Sequence, residues 1–199
     1  MARPLLDQFS RRAFLKGSGA AATALATGSA AAAAAPGGAG LIEGETTIRL
    51  KVNGQQQEVR VEPRTTLLEV LRYQLNLTGA KPVSCDGVSG ASTVLIDGRP
   101  VMASITLAVA VVGAEIETIE GLGADQPDEV SRSFVAHDAQ QCGFCTPGFV
   151  VAVRAYLHRH PRATAAEIRQ GLNGNICRCG TYTNVLQAAL AVVQGANHG

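Results

Sequence analysis

Tryptophan is absent from this chain and only 4% of its residues are aromatic, so any core must be built from Ala, Val, Leu and Ile. No run of 18 or more strongly apolar residues occurs, which argues against a membrane-spanning helix. A strong charge of either sign is also lacking, because the net charge is +1. Arg3, Arg11, Arg12 and Lys16 against Asp7 place a local +3 in the first 35 residues, leaving about −2 for the remainder. Phosphate binding needs a concentrated basic face, so nucleic acid is not expected as a partner. What the chain does have is length and apolar content. Its 199 residues, 46% of them hydrophobic, suffice for one large or two small domains with real cores.

The cysteines are few but clustered. Four of the five lie in two short loops, Gln141-Cys142-Gly143-Phe144-Cys145 and, about thirty residues later, Cys177-Arg178-Cys179. The CxxC and CxC spacings point to a tetrathiolate metal site. A helix starting at Thr146-Pro147, read as N-cap and first helical residue, would bring amide groups and a positive helix end to the first pair. On spacing alone three readings stay open: a [2Fe–2S] cluster, a structural zinc ion, or two disulfides. CxC is the less usual spacing for zinc.

Ser10-Arg11-Arg12-Ala13-Phe14-Leu15-Lys16 reads as a twin-arginine export signal. A weakly apolar, alanine-rich stretch follows from Gly17 to Ala35, with small residues before Pro36 suited to cleavage. Residues 1–35 are therefore expected to be a signal peptide, 36–44 a flexible spacer, and the destination the periplasm. That route carries folded proteins, which suits a preassembled metal centre better than disulfides.

From residue 45 to about 120 the pattern is β-rich. Thr46–Val52 alternates, Asn53-Gly54 is a type I′ turn, and Glu58–Val61 alternates again. Thr66-Leu67-Leu68-Glu69 is a capping box opening a helix with Leu67, Leu68, Val70, Leu71 and Leu75 inward. Ser92–Ile96, the Asp97-Gly98 turn and Arg99–Ala103 form a second hairpin. Ile105–Val112 is an apolar run, helix or buried strand, and Glu115–Ile119 a final strand. Two hairpins and one helix suggest a small β-grasp unit. Residues 121–195 turn helical: Asp128–His137 with Val130, Phe134 and Val135 inward, a helix after Cys145 stopping near Pro161, a capping box at Thr164-Ala165-Ala166-Glu167, and a last helix over Thr183–Val193. The fold class expected is α+β, a β-grasp ferredoxin-like domain (45–120) followed by a four-helix metal-binding domain (121–195).

The loop from Gly79 to Leu95 resembles the cluster loop of plant-type ferredoxin domains, where thiolates follow C-x4-C-x2-C with a distant fourth. Here Ser84, Ser89 and Ser92 occupy that spacing and Ser104 stands at the fourth place, together four of the chain's nine serines. An alcohol of high pKa is a poor ligand for iron beside sulfide, so this domain is expected to be metal-free. Cys85 sits one place out of register, a free or buried thiol.

Gln141-Cys142-Gly143-Phe144-Cys145-Thr146-Pro147-Gly148 and Gly174-Asn175-Ile176-Cys177-Arg178-Cys179-Gly180-Thr181-Tyr182 resemble the helical [2Fe–2S] domain of the xanthine oxidase family of molybdenum hydroxylases. The resemblance spans roughly residues 45–193 and is strongest to the small iron–sulfur subunit of exported aldehyde oxidoreductases. It implies that Cys142, Cys145, Cys177 and Cys179 bind one [2Fe–2S] cluster. It further implies that Gln141 contacts the pterin held by a molybdopterin-binding large subunit, with Cys179 near the pterin edge. The chain would hold no catalytic residue. It would pass electrons from aldehyde or N-heterocycle oxidation to an acceptor, an FAD-binding or haem (cytochrome) subunit. His137, His158 and His160 are expected only to cap helices or face water. With the ferredoxin cluster lost, three explanations stay open: the acceptor docks nearer the helical half, the chain keeps only an assembly role, or the serines were introduced deliberately. The rival reading is an exported metal-stabilised scaffold that moves no electrons.

Overall fold

The computed structural model describes residues 43–123 and 126–196. The twin-arginine segment, the proposed cleavage site and nearly all of the spacer lie outside them.

Alternation builds the first hairpin. In β1 (Thr46–Val52) the side chains of Leu50 and Val52 point inward, and in β2 (Gln55–Val61) those of Val59 and Val61 do the same. The two strands pair antiparallel around Asn53 and Gly54, whose φ values of 50° and 75° are those of a type I′ turn. β2 begins at Gln55, earlier than the apolar pattern alone suggests, because the tight turn carries pairing from its first residue. β3 (Thr93–Ile96) and β4 (Arg99–Met102) form the second antiparallel hairpin, with Asp97 and Gly98 at its turn. β5 (Glu115–Glu117) lies between the hairpins, parallel to β1 and antiparallel to β3. The order β2-β1-β5-β3-β4 makes one mixed five-stranded sheet.

The capping box at Thr66 forms as expected: the Glu69 amide donates to Thr66 Oγ1, and the Thr66 amide to Glu69 Oε2 at 2.7 Å. It opens α1 (Leu67–Glu69), which widens into a π-helical stretch over Val70–Gln74 closed by Leu75 N–H to Val70 O at 3.1 Å. Leu67, Leu68, Val70 and Leu71 are buried against the sheet. Burying such a side chain stabilises by roughly 1.5–3 kcal/mol.

The apolar run Ile105–Val112 is neither the buried strand nor the regular helix that its composition allows. Its backbone is used to hold the start of α1, with Leu67 N–H to Thr106 O at 2.7 Å and Ala108 N–H to Thr65 O at 2.9 Å. Only a short 3₁₀ turn, Ala108–Val111, follows, and Ile105, Leu107 and Val112 face solvent.

After the sheet, four further helices occur among the described residues: α2 (Glu129–Ala136), α3 (Thr146–Arg159), α4 (Ala165–Gly171) and α5 (Tyr182–Ala196). Asp128 caps α2 through Val130 N–H at 2.9 Å and ion-pairs with Arg154 of α3. Val130 and Phe134, one helical turn apart, enter the core, but Val135 is 75% exposed, contrary to expectation. Position 135 lies some 100° around the helix from Phe134 and cannot share its face. Thr164 and Glu167 form a second capping box on α4. Phe149, Val150, Val153, Leu157, Ile168, Val185, Ala188 and Ala189 fill the helical core. A smaller cluster of Leu95, Leu122, Val151 and Ala155 packs α3 against β3.

Candidate iron–sulfur centre

Two loops carry the four clustered cysteines. The first links α2 to α3. Asp138, with φ of 50°, turns the chain out of α2, and the Ala139 amide closes the turn on Phe134 O at 2.9 Å. Asn184 of α5 then fixes this exit, its Nδ2 donating to His137 O at 3.0 Å and Asp138 O at 3.2 Å. Gly143, at φ +79°, lets the chain double back between Cys142 and Cys145. The cap of α3 differs by one residue from the sequence reading: Cys145 is the N-cap, Thr146 begins the helix, and Pro147 falls within its first turn. Cys145 therefore stands at the positive end of a fourteen-residue helix.

The second loop joins α4 to α5. The Cys177 amide donates to the Tyr182 hydroxyl oxygen at 2.9 Å, and the Tyr182 ring packs edge-on against Phe149 with centroids 6.2 Å apart. Thr181 Oγ1 donates to Cys177 Sγ at 3.2 Å. Sequence spacing does not single out Thr181, Tyr182 and Asn184 as supports; their place beside the CxC motif is the one signal that points to them.

The fold brings all four thiols to one locality, as two couples. Cys177 is 6% exposed, Cys145 half-buried, and Cys142 and Cys179 are exposed. Burial pushes the Cys145 thiol up, and its hydrogen bond to Cys177 with the charges of Cys177 and Cys142 carries it to about 12. Burial also works against ionising Cys177. The Thr181 hydroxyl, the Thr181 amide, the Cys145 thiol and the Cys179 amide outweigh it and bring Cys177 down to about 7. The Cys145–Cys177 hydrogen bond thus works on the two thiols in opposite directions, raising Cys145 and lowering Cys177. In the other couple the Cys142 amide lowers Cys179. The Cys142 thiol, partial burial and the charges of Cys142 and Cys177 outweigh that and hold Cys179 up. None of the five cysteines is in a disulfide, and Cys85 is exposed. Among the described residues, no three His, Cys, Asp or Glu side chains are grouped to hold a metal ion.

The donor chemistry suits an iron–sulfur cluster. Thiols are what such a cluster binds, and amide and hydroxyl donors already aim at sulfur, as they must to stabilise anionic ligands. A single zinc ion asks for four donors converging on one point, whereas two couples suit two irons. Gln141 is exposed beside Cys142, and Phe144, Ile176 and Tyr182 expose apolar surface on the same two loops. His137 ends α2, its ring Nδ1 within 2.9 Å of Ser133 O.

Comparison with known proteins agrees with this site. Residues 118–190 match the [2Fe–2S] binding domain family. The chain is 44% identical over 157 residues to the aldehyde oxidoreductase iron-sulfur-binding subunit PaoA of Escherichia coli, covering 71% of this chain and 69% of that protein. It is 36% identical over 149 residues to the nicotinate dehydrogenase small FeS subunit of Eubacterium barkeri, covering 74% and 95%. Among solved structures, quinoline 2-oxidoreductase from Pseudomonas putida 86 superposes with a TM-score of 0.73 at 39% identity, covering 78% of this chain and 98% of that one. The fold and site thus define a [2Fe–2S]-binding protein with a mixed sheet and helices. The chain belongs to the iron–sulfur subunits of the aldehyde oxidoreductase and xanthine dehydrogenase family of molybdenum hydroxylases. Its role in such an oxidoreductase is electron transfer, and the molybdopterin belongs to a partner chain.

Proposed function

We propose that Cys142 with Cys179, and Cys145 with Cys177, hold the two irons of one [2Fe–2S] cluster. In this reading the chain relays electrons from a partner's molybdopterin during aldehyde or N-heterocycle oxidation. The arrangement of the thiols as two couples, one buried and one exposed, carries the reading. When bound, the cluster supplies one-electron chemistry. The chain's own residues do the rest. Thr181 and neighbouring amides stabilise thiolate at Cys177, Tyr182 fixes the loop through the Cys177 amide, and Asn184 fixes the loop before Cys142.

Exposure of Cys142, Cys179 and Gln141 supports placing this edge toward the pterin, with Gln141 as a contact and Cys179 nearest to it. The apolar rim of Phe144, Ile176 and Tyr182 supports a docked large subunit there. Relatives act in aldehyde and nicotinate oxidation by their names, which supports those substrate classes. The acceptor is an FAD-binding or cytochrome subunit. We further read residues 45–120 as a β-grasp ferredoxin-like domain and 121–195 as a four-helix [2Fe–2S] domain. Ser10–Lys16 supports export by the twin-arginine route to the periplasm.

The deciding experiment is metal analysis and visible spectroscopy of the purified full chain with its partner, beside Cys145→Ser and Cys177→Ser. About two irons per chain and [2Fe–2S] absorption, both lost in the variants, are expected. A colourless protein with stoichiometric zinc overturns the relay.

A further inference from the structure

The four serines at the ferredoxin ligand positions are not scattered over the loop. Ser84 Oγ lies 2.8 Å from Ser89 Oγ, and Ser92 Oγ donates to Ser104 Oγ at 2.9 Å. The first position is joined to the second and the third to the fourth, so this half also presents its ligand-position side chains as two couples. Backbone amides aim at three of the oxygens: Ser89 N–H at Ser84 Oγ (3.3 Å), Ala91 N–H at Ser89 Oγ (3.4 Å) and Ser104 N–H at Ser92 Oγ (3.3 Å). Donors so placed would serve sulfur as they serve oxygen.

The loop's backbone is secured as well, from within and from neighbouring segments. Ser89 O accepts from Ile176 N–H at 3.0 Å, Ala91 O from Lys81 N–H at 2.9 Å, and Gly90 O from Thr93 Oγ1 at 2.6 Å and Asn175 Nδ2 at 3.1 Å. A neutral hydroxyl both donates and accepts, so two of them can close on each other, whereas two thiolates repel unless a cation lies between them.

We propose that the loop spanning Ser84 to Ser104 is a vacated [2Fe–2S] cradle, held closed by two serine–serine hydrogen bonds and competent to take a cluster once its four serines are cysteines. The couples keep the loop shaped without metal, and the amides keep the electrostatics that a cluster requires. The inference concerns the sheet-bearing half alone and holds whichever ligands the helical half uses.

The test compares the full chain, co-expressed with its partner subunits, with the quadruple variant Ser84→Cys, Ser89→Cys, Ser92→Cys, Ser104→Cys. Iron per chain should rise by about two and a second set of [2Fe–2S] paramagnetic resonance signals should appear. The double variant Ser84→Cys, Ser89→Cys should gain no cluster, because two thiolates do not complete the ligand set. A quadruple variant of unchanged circular dichroism with no added iron overturns the cradle. So does iron retained at the serine loop when Cys142, Cys145, Cys177 and Cys179 are all serine. Ser84→Ala and Ser92→Ala test the closing role without new thiols. Each should lower the thermal midpoint and leave iron per chain unaltered, and an unmoved midpoint in both overturns the role given to the serine couples.

Discussion

The Asn175 side-chain amide donates to the Gly90 carbonyl oxygen at 3.1 Å, joining loops 85 residues apart. It is the buried centre of a contact between the serine loop and the Cys177 loop. Two glycines permit that contact. A Cβ on Gly90, which is at φ +68°, would lie 2.5 Å from the Gly174 carbonyl oxygen. One on Gly148, in the first turn of α3, would lie 2.3 Å from that of Gly90. The two loops that carry the ligand-position residues are therefore set against each other backbone to backbone.

Removing that tie deletes one hydrogen bond to the Gly90 carbonyl, which keeps its donors from Thr93. Asn175→Ala is expected to destabilise by about 0.5–1.5 kcal/mol, lowering the thermal midpoint by roughly 1–6 °C in calorimetry. Gly90→Ala should do at least as much, because backbone must move. A midpoint unchanged in both would show that the contact does not contribute.

Thr181 offers a readout of the cluster itself. Its hydroxyl donates to Cys177 Sγ, a bond that favours the more negative, reduced state. Thr181→Val should therefore lower the reduction potential, on the order of 40 mV for a hydrogen bond worth about 1 kcal/mol. Thr181→Ser should restore it, with iron content constant throughout. Potentiometric titration decides, and a potential that does not fall in the valine variant removes the assigned role.

Asp128 performs two tasks, capping α2 and pairing with Arg154. Arg154 is partly exposed, so water weakens the pair, and Asp128→Ala should cost about 2–4 kcal/mol, much of it from the lost cap and the buried site. Asp128→Asn keeps the cap and should fall between. The same denaturation series separates neighbours on α2. Phe134→Ala is expected to cost about 3–5 kcal/mol, and Val135→Ala less than about 0.5.

Acid should loosen the helix starts. The Thr66 amide and hydroxyl hold the Glu69 carboxyl below its usual 4.5, and those of Thr164 do the same for Glu167. Both carboxylates are depressed in the folded state, so their contribution is complete above about pH 5 and is lost as pH falls through the lowered values. Glu69→Gln with Glu167→Gln should flatten the decline in thermal midpoint between about pH 5 and 3. An equally steep decline in the double variant would place the acid sensitivity elsewhere.

Local chemistry wrote much of this protein in plain view. Asn53-Gly54 and Asp97-Gly98 specify hairpins, Thr66 and Thr164 specify helix starts, and the CxxC and CxC loops announce a thiolate site, because each depends on residues within one turn of chain. The Ser84, Ser89, Ser92 and Ser104 spacing was legible too, because it is a pattern of residue types along the chain and needs no knowledge of contacts. Only the tertiary structure decided what long-range packing controls. Ile105–Val112 lost regular structure because its backbone was taken by α1, and Val135 turned outward because the core lies on the other face of α2. The division of thiols into Cys142 with Cys179 and Cys145 with Cys177, and the Asn175 tie that sets the two loops together, came from elements distant in sequence. Spacing names the donors; packing alone chooses their neighbours.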